Sequence, residues 1–351
     1  MWLKTTSYLR NYIIRTVPAN CSRYFDLKQV AEDQPIGMID LDYDASNMFV
    51  INKLFNQNLI IHDSHYCTVN IFQLRQSVKN FEKVLQGQSV SKIIDIGCGQ
   101  GEFVEHLKSK NLSAVGFDPV LRNENEYLFK RYFEPSKYKY VSNNIYTMRC
   151  VLPHIKDPFH FLEKIFEYDR YCQVYIEYQN LEWIVREKMW QQISHDHCNY
   201  FSIKSFDYHF NVIKKGIFGN GEWSYVLIGI KNKSQLARRP LNLDKLIELE
   251  NNVSEIIAKS LERIRSRIGI YGAGGKGMLF AWELKKLGII DVVAFDEQSL
   301  NWNKFLEASG VQVRNPIEII KLDSFMNLLI MNPNHYAFAV NKYGAHFATH
   351  N

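Results

Sequence analysis

Two glycine turns constrain this 351-residue chain more than any other feature. The first lies in KIIDIGCGQGEF, starting at Lys92, and the second in RIGIYGAGGKGMLFAW, from Arg267 to Trp282. Each reads as a strand, a tight turn and the start of a helix. A further strand follows each one, SAVGFD ending at Asp118 and DVVAFD ending at Asp296. Strand–helix–strand units of this kind bury their strands in a parallel sheet, so the pattern predicts an α/β fold with two doubly wound domains.

The rest of the chain sorts around these units. An N-terminal segment, residues 1–85, has no clean period beyond a helix at VKNFEKVL. Residues 86–234 hold the first unit, with further strands expected at NIYTMRCV and CQVYIEY. FNVIKKGIFGN and EWSYVLIGIKN, joined by Gly-Asn-Gly-Glu, read as a closing hairpin. In residues 235–351, Leu243, Leu246, Ile247, Val253, Ile257, Leu261 and Ile264 share one helical face, which predicts a long bracing helix before the second unit.

A net charge of +5, with no block of like charge, gives no reason to expect a nucleic-acid partner. No run approaches the ~18 apolar residues of a membrane span, and the N-terminus lacks the apolar core of a signal peptide. The six cysteines are scattered without a C-x-x-C pair, which argues against a zinc knuckle and for reduced thiols. A cytoplasmic protein, monomeric or homodimeric, is the expectation.

Asp95, Gly97, Gly99 and Gly101 form D-x-G-x-G-x-G in the first turn, with Cys98 inside it and Asp118 and Pro119 at the end of the next strand. A dinucleotide favours G-x-G-x-x-G, because its pyrophosphate sits on the helix N-terminus. S-adenosylmethionine carries no phosphate. Its amino-acid end needs close backbone approach, which glycine permits, and its ribose needs a carboxylate such as Asp118. The sequence here resembles the class I S-adenosylmethionine-dependent methyltransferases, which implies that cofactor and that fold.

IEYQNLEWIVREKMWQQISHDHCNYFS resembles the E-x-P…Y-H-E-H-x-x-Y-F-S segment of the sugar C-methyltransferases, which act on nucleotide-linked keto-deoxysugars. The matching residues are Glu177, His195, Asp196, His197, Tyr200, Phe201 and Ser202. The resemblance implies that His197 is the base, with His195 and Asp196 as supports and Glu177 and Tyr200 toward the substrate. Imidazole is suited to taking a weakly acidic proton near neutral pH. The family's tyrosine before H-E-H is Ser194, its R-H-V-L-E-H is RCVLPH with Pro153 for glutamate, and its N-terminal zinc-binding cysteines are missing. H-x-H can chelate, but no further ligand has a diagnostic spacing, so no metal is expected. Tyr66 stands where related proteins carry an active-site tyrosine; a core tyrosine is the alternative.

IYGAGGKG resembles the opening of the Rossmann-like C-terminal domain that accompanies these enzymes. That domain handles no nicotinamide, and the resemblance implies a grip on the nucleotide of an activated sugar. Gly272, Gly274 and Lys276 are then the diphosphate-binding residues. Taken together, the sequence predicts a methyltransferase acting on a carbon of a nucleotide-linked sugar or related small metabolite. The alternatives are O- or N-methylation of another small molecule, an NAD-dependent oxidoreductase using the second turn, and an inactive nucleotide-binding protein.

Overall fold

The apolar runs read as strands are buried on both faces, as a parallel sheet covered by helices requires. The computed structural model describes residues 14–63, 65, 71–138, 143–231, 244–261, 267–321, 326–344 and 347–349. Tyr66 lies outside the described residues. The first sheet contains β1 (Lys92–Ile96), β2 (Ala114–Phe117), β3 (Leu128–Phe129), β4 (Asn144–Arg149), β5 (Gln173–Gln179), β6 (Asn211–Phe218) and β7 (Trp223–Gly229). Their order is β6-β7-β5-β4-β1-β2-β3. The strands from β1 to β5 pair in parallel, whereas β7 runs antiparallel to both β5 and β6. The expected hairpin is present, and its turn holds Gly219, Asn220 and Gly221 at positive φ. Chain order reverses between β1 and β4, and the crevice beyond their C-terminal ends is where such sheets take ligands.

The second sheet is parallel throughout. It contains β8 (Ile268–Tyr271), β9 (Val292–Phe295), β10 (Val313–Arg314), β11 (Asn327–Ile330) and β12 (Phe347–Thr349), in the order β10-β9-β8-β11-β12. The helix expected as one piece before it is two, Asp244–Asn251 and Val253–Leu261, interrupted at Asn252. Leu246, Leu249, Val253 and Ile257 are buried from both pieces, so the apolar face survives the break. No described helix is long and apolar enough to cross a membrane.

The N-terminal segment, unreadable by period, is a set of short strands that find partners far away. Arg15–Pro18 pairs with Ile36–Ile39, and Leu41–Asp44 pairs with Phe49–Asn52. Phe49–Asn52 also takes Asn199–Tyr200 from the histidine segment, and Tyr24–Phe25 pairs with Phe305–Leu306. The segment therefore stitches the first sheet's loops to the second unit. One apolar cluster runs across all three parts, with Val17 and Tyr24, Trp183 and Trp190, and Met278 and Phe280 among its members.

Buried charge fixes these seams. Arg15 Nε and Nη2 reach Glu250 at 2.9 and 3.1 Å, and Nη2 also donates to the Ile193 carbonyl at 2.8 Å. Removing one partner of such a pair leaves the other charged and desolvated. Arg15→Ala should cost about 3–5 kcal/mol, measured as a lowered urea midpoint with the slope unchanged.

Glu307, fully buried, accepts from Asn20 and Arg23 at 3.2 Å, yet burial pushes its carboxyl up to about 7 from 4.5, against those two partners. The folded chain then holds this proton more tightly than the unfolded one. That contribution is complete below pH 4.5 and is lost as pH rises through about 7. The thermal-stability margin of the wild type over Glu307→Gln should shrink from about pH 5 to about pH 8. A margin that stays constant with pH would show an unshifted carboxyl.

Candidate active site

At the end of β1 the chain turns through Gly97, Gly99 and Gly101 at φ of 71°, 62° and 95° before entering the helix Glu102–Ser109. A Cβ on Gly97 would lie 2.3 Å from Val151 Cγ2, and one on Gly101 2.4 Å from Leu128 Cδ1. Both sterics and backbone therefore demand glycine. Cys98 is buried against Gly116, and burial raises its thiol far above the usual range, so it offers a ligand only its backbone. Asp118 accepts the amides of Gly99 and Val120 at 2.8 Å, one on each oxygen, with Pro119 between it and Val120. Burial raises its carboxyl above the ordinary range, opposed by these two amides. Each oxygen retains a second lone pair for a ribose hydroxyl.

Asp95 is fully buried and already engaged. Thr147 Oγ1 donates to it at 2.6 Å and Arg149 Nη2 at 3.0 Å. The Arg149 guanidinium lies 4.0 Å from the centre of the Phe103 ring, and its Nε is buried without a hydrogen-bond partner. A carboxylate-bearing ligand would satisfy that donor. Glycine cradle, Asp118 and orphaned Arg149 Nε thus fit the ribose and amino-acid ends of S-adenosylmethionine. Glu177 lies on the same side of the sheet. Its oxygens accept from Ser77 at 2.5 Å and Tyr175 at 2.6 Å, and burial raises its carboxyl despite the nearby Arg149.

The histidine segment divides into separate tasks. His195 is wholly buried, its Nε2 accepting the Asn56 amide at 3.2 Å and its Nδ1 meeting the Met38 carbonyl at 3.0 Å. A Cβ on Gly37 would fall 2.2 Å from its ring. His195 therefore clamps the N-terminal strands, with both ring nitrogens occupied. Tyr200 spends its hydroxyl on the Ser194 backbone, at 3.1 Å from the amide and 2.9 Å from the carbonyl, which shapes the loop.

Asp196 accepts from Ser194 Oγ at 2.6 Å and from the Cys21 amide at 3.2 Å. Burial would raise its carboxyl, but the neighbouring His197 and His154 hold it below the usual range. The ring of His197 packs against that of His154, centroids 4.7 Å apart. Burial, then His154, lowers the His197 imidazole to about 4, so it is neutral near pH 7. His154 comes from the turn Leu152–His154 after β4, and its Nδ1 donates to the Asp196 carbonyl at 2.7 Å. Ligand atoms of His154, Asp196 and His197 lie within 4.8 Å of one another. The H-x-H spacing could not reveal this group, because its third member is on another loop.

The second glycine turn has the dinucleotide geometry. Gly272 stands at φ 99°, and a Cβ on Gly277 would meet the Gly272 carbonyl oxygen at 2.1 Å. Asp296 accepts the Ala273 amide at 3.2 Å and the Gln298 amide at 2.8 Å. Space is open beside Gly274, while a Cβ on Gly275 would lie 3.4 Å from Cys21 Cβ. Since the Cys21 amide bonds Asp196, this turn stands one residue from the histidine group. Lys276 is ion-paired with Glu222, which also accepts from Gln192, Asn332 and Asn334 at 2.9–3.1 Å. The lysine's charge is thus spent across the seam between the two units. Arg149 and Glu222 were not singled out by sequence, whereas His154 is the histidine kept in RCVLPH, the stretch that also holds Arg149.

Residues 70–210 match the model of a methyltransferase domain. A tRNA (uracil(54)-C(5))-methyltransferase of Pyrococcus furiosus is 28% identical over 97 residues, covering 28% of this chain and 22% of that protein. The chain thus spans about a fifth of that curated relative's length. Among solved structures, the small RNA methyltransferase HEN1 is 16% identical over 47% of this chain and 27% of that one, with a TM-score of 0.37. Magnesium protoporphyrin IX methyltransferase from Synechocystis PCC 6803, with bound SAH, is 14% identical over 47% and 90%, with a TM-score of 0.34. The glycine cradle lies inside the segment matched at residues 70–210, and that segment is a class I S-adenosylmethionine-dependent methyltransferase domain.

Proposed function

We propose that the chain methylates a carbon of a nucleotide-linked keto-deoxysugar, or of a related small metabolite. The unit over 86–234 holds the methyl donor, and the unit over 235–351 receives the nucleotide of the acceptor. One observation supports this reading above the others: the histidine loop lies between the two glycine turns. Val151, packed on Gly97, is three residues from His154, and Cys21, bonded to Asp196, touches Gly275.

S-adenosylmethionine supplies an electrophilic methyl group on sulfur, and the chain's residues do the remaining work. Asp118 holds the ribose, and Arg149 Nε takes the free carboxylate. His197, neutral near pH 7, offers a ring nitrogen lone pair to accept a proton from the acceptor. Fixing both reactants at adjacent turns supplies much of the rate, since in-line attack depends on alignment. With Lys276 paired to Glu222, the backbone amides around Gly274 and Gly275 are the better phosphate donors.

A second reading has its own observation. An imidazole held near 4 is a weak base for a carbon acid and a better match for a more acidic hydroxyl or ammonium. O- or N-methylation of another small molecule follows from that. The RNA and porphyrin substrates named for the similar proteins are further candidates for the acceptor, though no charge run here favours RNA.

Calorimetry with S-adenosylhomocysteine and NADH separates cofactor use by the two turns. S-adenosylhomocysteine should bind, and Asp118→Ala should weaken it by about 10-fold or more, the scale of a lost charge-assisted hydrogen-bond pair. Asp296→Ala should leave it unchanged. Tight NADH binding without S-adenosylhomocysteine binding would overturn the proposal.

The histidines should part in a second experiment. His197→Ala should abolish turnover while cofactor affinity holds, and normal turnover would remove it as the base. His195→Ala should instead lower stability by about 2–4 kcal/mol, from the cavity and the unpaired Asn56 and Met38 groups. Thermal melting reads that loss directly.

A further inference from the structure

We propose that His154, Asp196 and His197 bind one divalent transition-metal ion, which holds an oxygen of the acceptor beside the cofactor turn. This rests on the reading of the histidine loop as the acceptor site, and it stands in place of the base role given to His197 above.

The geometry of the group carries the proposal. The ligand atoms of the three residues already lie within 4.8 Å of one another. About 3.3 Å separates ligand atoms around a tetrahedral ion with bonds of 2.0–2.1 Å. The widest separation exceeds that spacing by about 1.5 Å, a gap that rotation of the imidazoles closes on binding.

Two of the ligands are also held from behind. His154 spends its Nδ1–H on the Asp196 carbonyl at 2.7 Å, which leaves the Nε2 lone pair as its ligand atom. Ser194 Oγ at 2.6 Å and the Cys21 amide at 3.2 Å orient the Asp196 carboxylate. A ligating histidine whose other nitrogen donates to a backbone carbonyl is the usual outer-shell arrangement of protein metal sites, and His154 has it here. The two imidazoles pack edge to face, 4.7 Å between centroids, which keeps a ligand atom of each near the Asp196 carboxylate. A cation is the simplest partner for both.

The donor set selects the ion. Two nitrogens and one carboxylate favour zinc, iron, cobalt or manganese over calcium and magnesium, which prefer all-oxygen cages. Three protein ligands leave open positions, the condition for a substrate oxygen to bind directly. The place is also suitable, since Val151, three residues before His154, packs on Gly97 of the cofactor turn. With the ion bound, the lone pair of His197 is a ligand and no longer a base, so the two roles exclude each other.

The test uses the full chain, stripped with a chelator and then titrated with Co²⁺ and Zn²⁺ by calorimetry and visible absorption. One ion should bind per chain, with Co²⁺ giving the absorption of mixed nitrogen and oxygen ligation. His154→Ala and Asp196→Asn should weaken binding by about 100-fold or more, while His106→Ala on a surface helix should not. S-adenosylhomocysteine affinity, measured on each variant, reports that the fold is intact. Should a variant fail to fold, the wild-type chain still decides, because the ion should protect His154 and His197 from acylation by diethylpyrocarbonate. Absence of binding by the wild-type chain, or binding undiminished in both variants, overturns the site. Tight binding without turnover of keto-sugars supports the site and overturns only the substrate reading.

Discussion

A carboxylate taken out of water must find donors, and three such carboxylates dictate how this chain is assembled. Glu250 meets Arg15, Glu307 meets Asn20 and Arg23, and Glu222 meets Lys276, Asn332 and Asn334. Every one of these contacts joins parts of the chain that are far apart in sequence. Hydrogen bonds to charged groups are worth about 1.5–3 kcal/mol each, and leaving such a group unpaired costs more than the bond returns. The seams are therefore specified by what would be lost if they slipped, in addition to the apolar cluster that fills them.

The consequence for the site is positional. The loop that carries Asp196 is held from the front by the Cys21 amide and from the side by Ser194, and His195 pins it to Met38 and Asn56. Cys21 in turn lies in the segment tied down by Glu307 through Asn20 and Arg23. A group that must face a methyl donor within a few tenths of an ångström needs such a frame, because reach alone does not supply alignment. The residues that make the frame outnumber those that would do chemistry.

Legibility followed the range of the interactions. KIIDI and QVYIEY could be read as strands because a parallel strand is buried on both faces, which leaves a local apolar run. The hairpin was legible in its Gly-Asn-Gly turn, since positive φ is a local demand. The N-terminal strands were not, because two- to four-residue strands carry no period and owe their existence to partners such as Phe305 and Asn199. In the same way, H-D-H marked a loop but could not divide the contacts its residues make. His195 is a clamp because of Met38 and Asn56, and His197 gains a neighbour in His154, all distant in sequence. Lys276 looked like a phosphate ligand until Glu222 came across from the β6–β7 turn.

The two glycine turns end as near equivalents in backbone and opposites in surroundings. In each, a carboxylate at the end of the second strand accepts an amide from the turn, Asp118 from Gly99 and Asp296 from Ala273. What separates them is the next layer of contact. Beside the first stand Arg149, with a buried N–H unspent, and Val151, which leads directly to His154. In the second turn Lys276 is already neutralised by Glu222, and open space remains at Gly274. A turn with an unsatisfied donor calls for a charged ligand with a defined grip. One with its lysine paired and its backbone open suits a ligand held through amides alone, as the phosphates of an acceptor can be. The same local motif is thus given opposite surroundings by residues that lie outside it.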